Sequence, residues 1–241
     1  MKRPIAGTKI AVAAVLAFAV LAFPAVAQEH GAPGGHQGGR TLWDLFRQTG
    51  PVGWMMLLTF TGGIALLIEN IVSLRPEKLG PPALVDELET LIEESNLDEA
   101  LALCQSDGSY LANVTAGGLV MREAGYEEMV RGLEQVSTQE TFKLNQKISY
   151  LSLIGNIGPL LGLLGTVTGM ISSFQEIEKL AAPTPAQLAK GVYESLVNTT
   201  MGLFIGIVFL TSYFILKNKV TNMALTLNLM GIEILKKAHI K

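Results

Sequence analysis

Charged positions fall in five clusters, residues 2–9, 29–47, 69–147, 176–194 and 217–241, and the stretches between them carry no charge. The first uncharged stretch contains the apolar run IAVAAVLAFAVLAF, residues 10–23, behind Lys2, Arg3 and Lys9. Pro24 follows, and Ala25-Val26-Ala27 supplies a small–x–small sequence. This is the layout of a secretory signal peptide over 1–27, with Gln28 as the mature N-terminus. An uncleaved first span is the competing reading; the short run and Pro24 weigh against it. The next stretch predicts a transmembrane helix over 52–74, with no charge before Glu69 and with Arg75 and Lys78 just beyond. Lys147 and Glu176 then bracket 28 uncharged residues, about 42 Å of helix, which predicts a second span over 148–175. Ser195 to Leu216 is uncharged for 22 residues, about 33 Å, and places a third span over 191–216.

The polar segments read differently. Residues 28–40, QEHGAPGGHQGGR, are a Gly-rich tail with nothing to bury. His30 and His36 lack a third ligand and read as polar filler rather than a metal site. Residues 41–48 predict a short amphipathic helix with Leu42, Leu45 and Phe46 on one face and Trp43 at the interface. Residues 28–51 together form the segment before the first span. The 75–147 loop is helical in pattern. Pro81-Pro82 opens a helix striped by Leu84, Leu88, Leu91 and Ile92. Ser95-Asn96 predicts a break and an N-cap, with Glu99 three residues on. Leu97 to Gln105 and Ser109 to Ala124 read as two further helices, and Gly125 as another break. From Tyr126 the helical pattern runs unbroken into the second span. Pro183 and Pro185 predict a turn within 176–190, and 217–241 reads as a continuation of the last helix. The fold class expected is all-α: three long transmembrane helices with a helical cytoplasmic loop, assembling as a helical oligomer.

Basic residues set the orientation. Segments 73–147 and 217–241 hold 11 Lys and Arg, whereas the opposite mature segments hold four, Arg40, Arg47, Lys179 and Lys190. The positive-inside rule therefore puts the loop and the C-terminus in the cytoplasm and the mature N-terminus outside.

Composition agrees with a membrane class. Hydrophobic residues make up 49% of 241 and charged residues 16%, where soluble domains carry about 25% charged; mean hydropathy is +0.38. A net charge of −3 does not suit a nucleic-acid partner. The single cysteine, Cys104, excludes an intrachain disulfide and a multi-cysteine metal site. No GxSxG, P-loop or HExxH occurs. The expectation is a protein that is not an enzyme and needs no cofactor or metal.

The last two spans carry unusual chemistry. Gly155, Gly158, Gly162, Gly165 and Gly169 lie on the second, Gly202 and Gly206 on the third. Gly158/Gly162, Gly165/Gly169 and Gly202/Gly206 are small-xxx-small pairs, which let helix backbones approach closely. Polar residues share these helices: Asn156, Thr166, Thr168, Ser172 and Ser173, then Glu194, Asn198, Thr199 and Thr200. An ionisable group in a span is a functional candidate. For Glu194 an interfacial charge beside Lys190 is the alternative, and for any one threonine a helix–helix hydrogen bond is.

The run Gly158-Pro-Leu-Leu-Gly-Leu-Leu-Gly-Thr-Val-Thr-Gly-Met-Ile-Ser-Ser-Phe174 resembles the second-span signature of the MotA/TolQ/ExbB proton-channel family. Glu194-Ser-Leu-Val-Asn-Thr-Thr-Met-Gly-Leu203 resembles that family's third-span motif, and Trp43 to Val52 looks ExbB-like. The resemblance covers 41–235. It implies a homo-pentamer around a dimer of an ExbD- or TolR-like partner, whose single span carries an aspartate that accepts the proton. It also implies a TonB-like energy transducer as the driven partner. Thr166 and Thr199 match the family's pore threonines and Glu194 its pore glutamate. Asn198 departs from the pattern, since a small residue is common there, and so do the signal peptide and the Gly/His tail. Three spans favour the ExbB/TolQ branch over the four-span MotA branch, and ExbB within it. A non-conducting scaffold stays as an alternative; a substrate transporter fits poorly without an internal repeat.

Overall fold

The computed structural model describes residues 50–179 and 185–240. The expected signal peptide, Gly-rich tail and 41–48 helix lie outside the described residues, as do 180–184 of the expected turn and the side chains of Lys190 and Glu194. All regular structure among the described residues is helical: α1 (Gly50–Ser73), α2 (Pro76–Leu79), α3 (Pro82–Glu93), α4 (Leu97–Asp107), α5 (Tyr110–Leu119), a 3₁₀ turn (Arg122–Ala124), α6 (Tyr126–Glu178) and α7 (Pro185–Ile240). Three of these, α1, α6 and α7, are long and apolar enough to cross a membrane. The described residues divide into two units, one of 50–67, 149–179 and 185–215 and one of 68–148 and 216–240.

The first unit holds α1 as far as Leu67 with the most apolar parts of α6 and α7. Helix α1 buries Val52, Met56 and Leu67 while Trp54, Leu58 and Ile68 stay more than half exposed. An exposed apolar face of this kind suits lipid or further protein rather than water. Phe60 meets Phe209 of α7 edge-on, ring centroids 5.9 Å apart. Gly63 lies beneath the same ring, and a Cβ there would collide with Phe209 Cζ. Hydroxyls inside the helix are absorbed locally: Thr59 donates to Met55 O at 2.7 Å and Thr61 to Leu57 O at 2.8 Å, the usual solution where no water competes.

The second unit is built around α5. Ser109 caps that helix, its hydroxyl accepting from Ala112 N at 3.3 Å. Tyr110, Leu111, Ala112, Val114, Thr115, Gly118 and Leu119 are all buried, so α5 has almost no solvent face. Gly117 and Gly118 make this possible. A Cβ on Gly117 would stand 2.5 Å from Val136 Cγ2 of α6, and one on Gly118 would strike Leu235 of α7. Helix α3 packs by Leu84, Leu88 and Ile92, and Gly108 ends α4 at φ +67°, where only glycine is unstrained.

Local details differ from the sequence reading. The helix expected over Ser109 to Ala124 stops at Leu119 and is followed by the 3₁₀ turn. Asn96 does sit at the N-cap of α4, but its amide donates to the Glu99 carboxylate and its side chain accepts nothing from the backbone. Ser95, at φ +60°, makes the bend instead.

A buried polar node ties α5 to the parts of α6 and α7 in this unit. The Tyr110 hydroxyl lies 3.1 Å from Ser137 Oγ, 3.0 Å from Thr141 Oγ1 and 3.1 Å from Asn228 Oδ1. Asn228 Nδ2 donates to Ser137 Oγ at 2.6 Å. Each member therefore has a partner, the condition under which a buried network stabilises rather than costs.

Candidate functional site

Within the first unit α6 and α7 meet along a seam of glycines. A Cβ on Gly202 would lie 2.6 Å from Gly158 O and 2.8 Å from Gly162 Cα; one on Gly162 would lie 3.1 Å from Thr199 Cα. Any larger residue at these places would have to move backbone. Gly158 faces Ile205, Gly206 faces the ring of Pro159, and Gly155 faces Leu210. Gly165 faces Asn198 and Gly169 faces Ser195. All seven glycines singled out by the sequence thus meet the opposite helix of the same chain. Such small-residue contacts replace the hydrophobic driving force that is absent in lipid.

The threonines divide. Thr199 donates across the seam to Gly162 O at 3.4 Å. Thr166 instead donates to Leu163 O of its own helix at 2.7 Å and is half-buried. The structure does not join the two by a hydrogen bond. Glu194 falls within α7, one turn before Asn198; its side chain is outside the described residues.

Two residues escaped the site reading. Ser195 and Asn198 are buried, at 2% and 4% exposure. Ser195 Oγ donates to Gly191 O at 2.8 Å. Asn198 lies against Gly165, and its Oδ1 has no hydrogen-bond partner among the described residues. The spacing of Glu194 and Asn198 was visible, but not that Asn198 turns into the seam. Gly191 was also missed: a Cβ there would collide with Ser173 Oγ. Gly191-xxx-Ser195 is a small-xxx-small pair, but Gly191 lies before the uncharged run and Glu194 falls inside the pair.

A model of the MotA/TolQ/ExbB proton channel family matches residues 105–228, just over half the chain. The chain belongs to that family. Its matched part takes in α5, α6, the whole seam and the polar node. Among curated MotA/TolQ/ExbB relatives, an ExbB homolog of Methanothermobacter thermautotrophicus is 24% identical over 174 residues, 72% of this chain and 62% of that protein. The Tol-Pal system protein TolQ of Pseudomonas aeruginosa is 32% identical over 91 residues, 38% of this chain and 39% of its own length. The chain thus spans less than two thirds of the length of either. A chain of the C. jejuni MotAB structure superposes with a TM-score of 0.57 at 15% identity, covering 93% of this chain and 90% of its own. That likeness concerns the fold, an all-α assembly of long helices. The protein is a multi-pass membrane member of a proton-channel family.

Proposed function

We propose that this chain is the stationary subunit of an inner-membrane, proton-driven motor of the ExbB type, and that Thr166, Thr199 and Glu194 line its proton path. The observation that carries the reading is the Thr199 hydroxyl bonded across the seam to Gly162 O. It puts a group able to relay or solvate a proton where two apolar helices touch. A glutamate that lines a protein-enclosed path escapes the full cost of a charge in lipid. The exposed apolar face of α6, including Leu160, Leu163, Val167 and Ile171, suits further copies around a pore, in keeping with a homo-pentamer. The partners would be an ExbD- or TolR-like protein with one span bearing an aspartate, and a TonB-like transducer outside. A charge crossing 100 mV releases about 2.3 kcal/mol, and cycles of protonation at that aspartate drive relative motion. The mature N-terminus is then periplasmic, after cleavage at Ala27, and the C-terminus cytoplasmic. A TolQ-like role in the envelope is the second reading, favoured by the 32% identity to a TolQ protein.

The test is proton flux in liposomes holding this chain with its single-span partner. Thr199→Val keeps the shape and removes the hydroxyl, and should abolish flux while the complex stays assembled. Glu194→Gln should lower it. Normal flux in the Thr166→Val/Thr199→Val double variant would overturn the channel reading in favour of a scaffold.

A further inference from the structure

The seam changes character along its length. From Gly155 to Pro159 it is filled by Leu210, Ile205 and the proline ring against Gly206. From Gly162 to Ser173 the opposing groups are Thr199, Asn198, Ser195 and Gly191. Bulk closes the first half. Polar atoms and bare backbone meet in the second, where no large apolar side chain stands among the nearest neighbours of Gly162, Gly165 or Gly169.

The polar half is short of donors. Ser195 commits its hydrogen to Gly191 O and Ser173 commits its own to Gly169 O, each at 2.8 Å. Their oxygens therefore face the seam as acceptors. Asn198 is 4% exposed, and a Cβ on Gly165 would stand 2.6 Å from its Cβ and 2.9 Å from its Nδ2. The side chain is thus aimed into the seam, and its Oδ1 is sealed from solvent without a hydrogen-bond partner among the described residues. A buried acceptor with no donor is costly. The large apolar side chains that fill the other half are absent from the nearest neighbours here. Closure of this half therefore stands on weak ground, whereas the bulky half has every reason to stay shut.

Resting on the channel reading above, we propose that the Gly162–Ser173 half of the seam parts to admit water. Ser195 Oγ accepts from one molecule, Asn198 Oδ1 holds the next, and the hydrated proton reaches Thr199 between two helices of one subunit. The ligand is water or hydronium, which brings the donors that this half lacks.

A disulfide staple tests this. A Cβ on Gly169 would lie 3.6 Å from that of Ser195, within the span a disulfide needs. Cys104 is the chain's only cysteine, so Gly169→Cys/Ser195→Cys is made in a Cys104→Ala background and reconstituted with the single-span partner. Oxidation should remove most of the proton flux, and dithiothreitol should restore it. Undiminished flux after complete oxidation overturns the proposal. A second measurement needs no flux: Ser195→Cys alone should react with a small methanethiosulfonate reagent roughly tenfold faster than Ser212→Cys, buried on the bulky side, because thiolate forms only where water reaches. Equal, slow rates overturn the proposal. If the Cys104→Ala parent complex carries no flux while Ser195→Cys labels fast, the channel reading falls and the wet seam stands.

Discussion

The hydroxyl of Tyr110 donates to Oδ1 of Asn228 at 3.1 Å, although 118 residues separate them. The bond joins a short loop helix to the end of the last long one. Ser137 and Thr141 complete the node from α6. Three helices are thus held in register by side chains rather than by backbone.

Tyr110→Phe should lower the stability of the protein by about 1–3 kcal/mol, because Ser137, Thr141 and Asn228 lose a shared partner while staying buried. Thermal unfolding in detergent measures it. An unchanged midpoint would mean that the node contributes nothing to stability.

Glycines in the first unit should divide sharply by position. Gly202→Val forces side-chain atoms into the backbone of Gly158 and Gly162, and the protein should fail to accumulate in membranes. Gly62→Ala, with nothing within 4 Å of the new methyl, should be tolerated and gains helix propensity worth up to about 1 kcal/mol. Equal expression of the two would place the tight contact elsewhere.

Burial, with Asp107 nearby, pushes the Cys104 thiol up from 9.0 to about 12. The folded chain therefore keeps a proton that the unfolded chain gives up. That contribution is fully present below pH 9 and is lost as pH rises from 9 towards 12. Cys104→Ala should flatten the stability profile over that window relative to the parent protein. Iodoacetamide at pH 8 should alkylate Cys104 only after denaturation.

The same burial decides how orientation must be measured. Silence of Cys104 towards an impermeant reagent says nothing about sidedness, since the thiol is shielded from both sides. Gln105→Cys in a Cys104→Ala background is exposed. It should resist an impermeant maleimide in intact cells and label in everted vesicles. The reverse pattern would invert the topology.

The all-α class and the three long helices were legible because an uncharged run of 20 residues or more has few other uses. The glycine spacing likewise marked the faces of α6 and α7 that touch. What periodicity cannot supply is the neighbour. Thr199 and Gly162 are 37 apart in sequence, and nothing in either local pattern says that one hydroxyl crosses the seam while Thr166 bonds at home. Gly117 and Gly118 stand in a polar loop segment whose pattern does not single them out. They are small because side chains of α6 and α7 press on α5 from two sides. Asn96 had the right identity for a cap, but its amide found a carboxylate first. In each case tertiary contacts chose among options that local sequence left equal.

Pro159 sits inside α6 and has no N–H, so the carbonyl of Gly155 lacks its helical donor. A rod missing one rung resists flexure least at that point. Pro159 also falls between the bulk-filled and the polar halves of the seam, which makes it a fulcrum. From there to Glu178 the helix reaches about 29 Å, so a tilt of roughly 6° swings its tip by about 3 Å, the width of one water molecule.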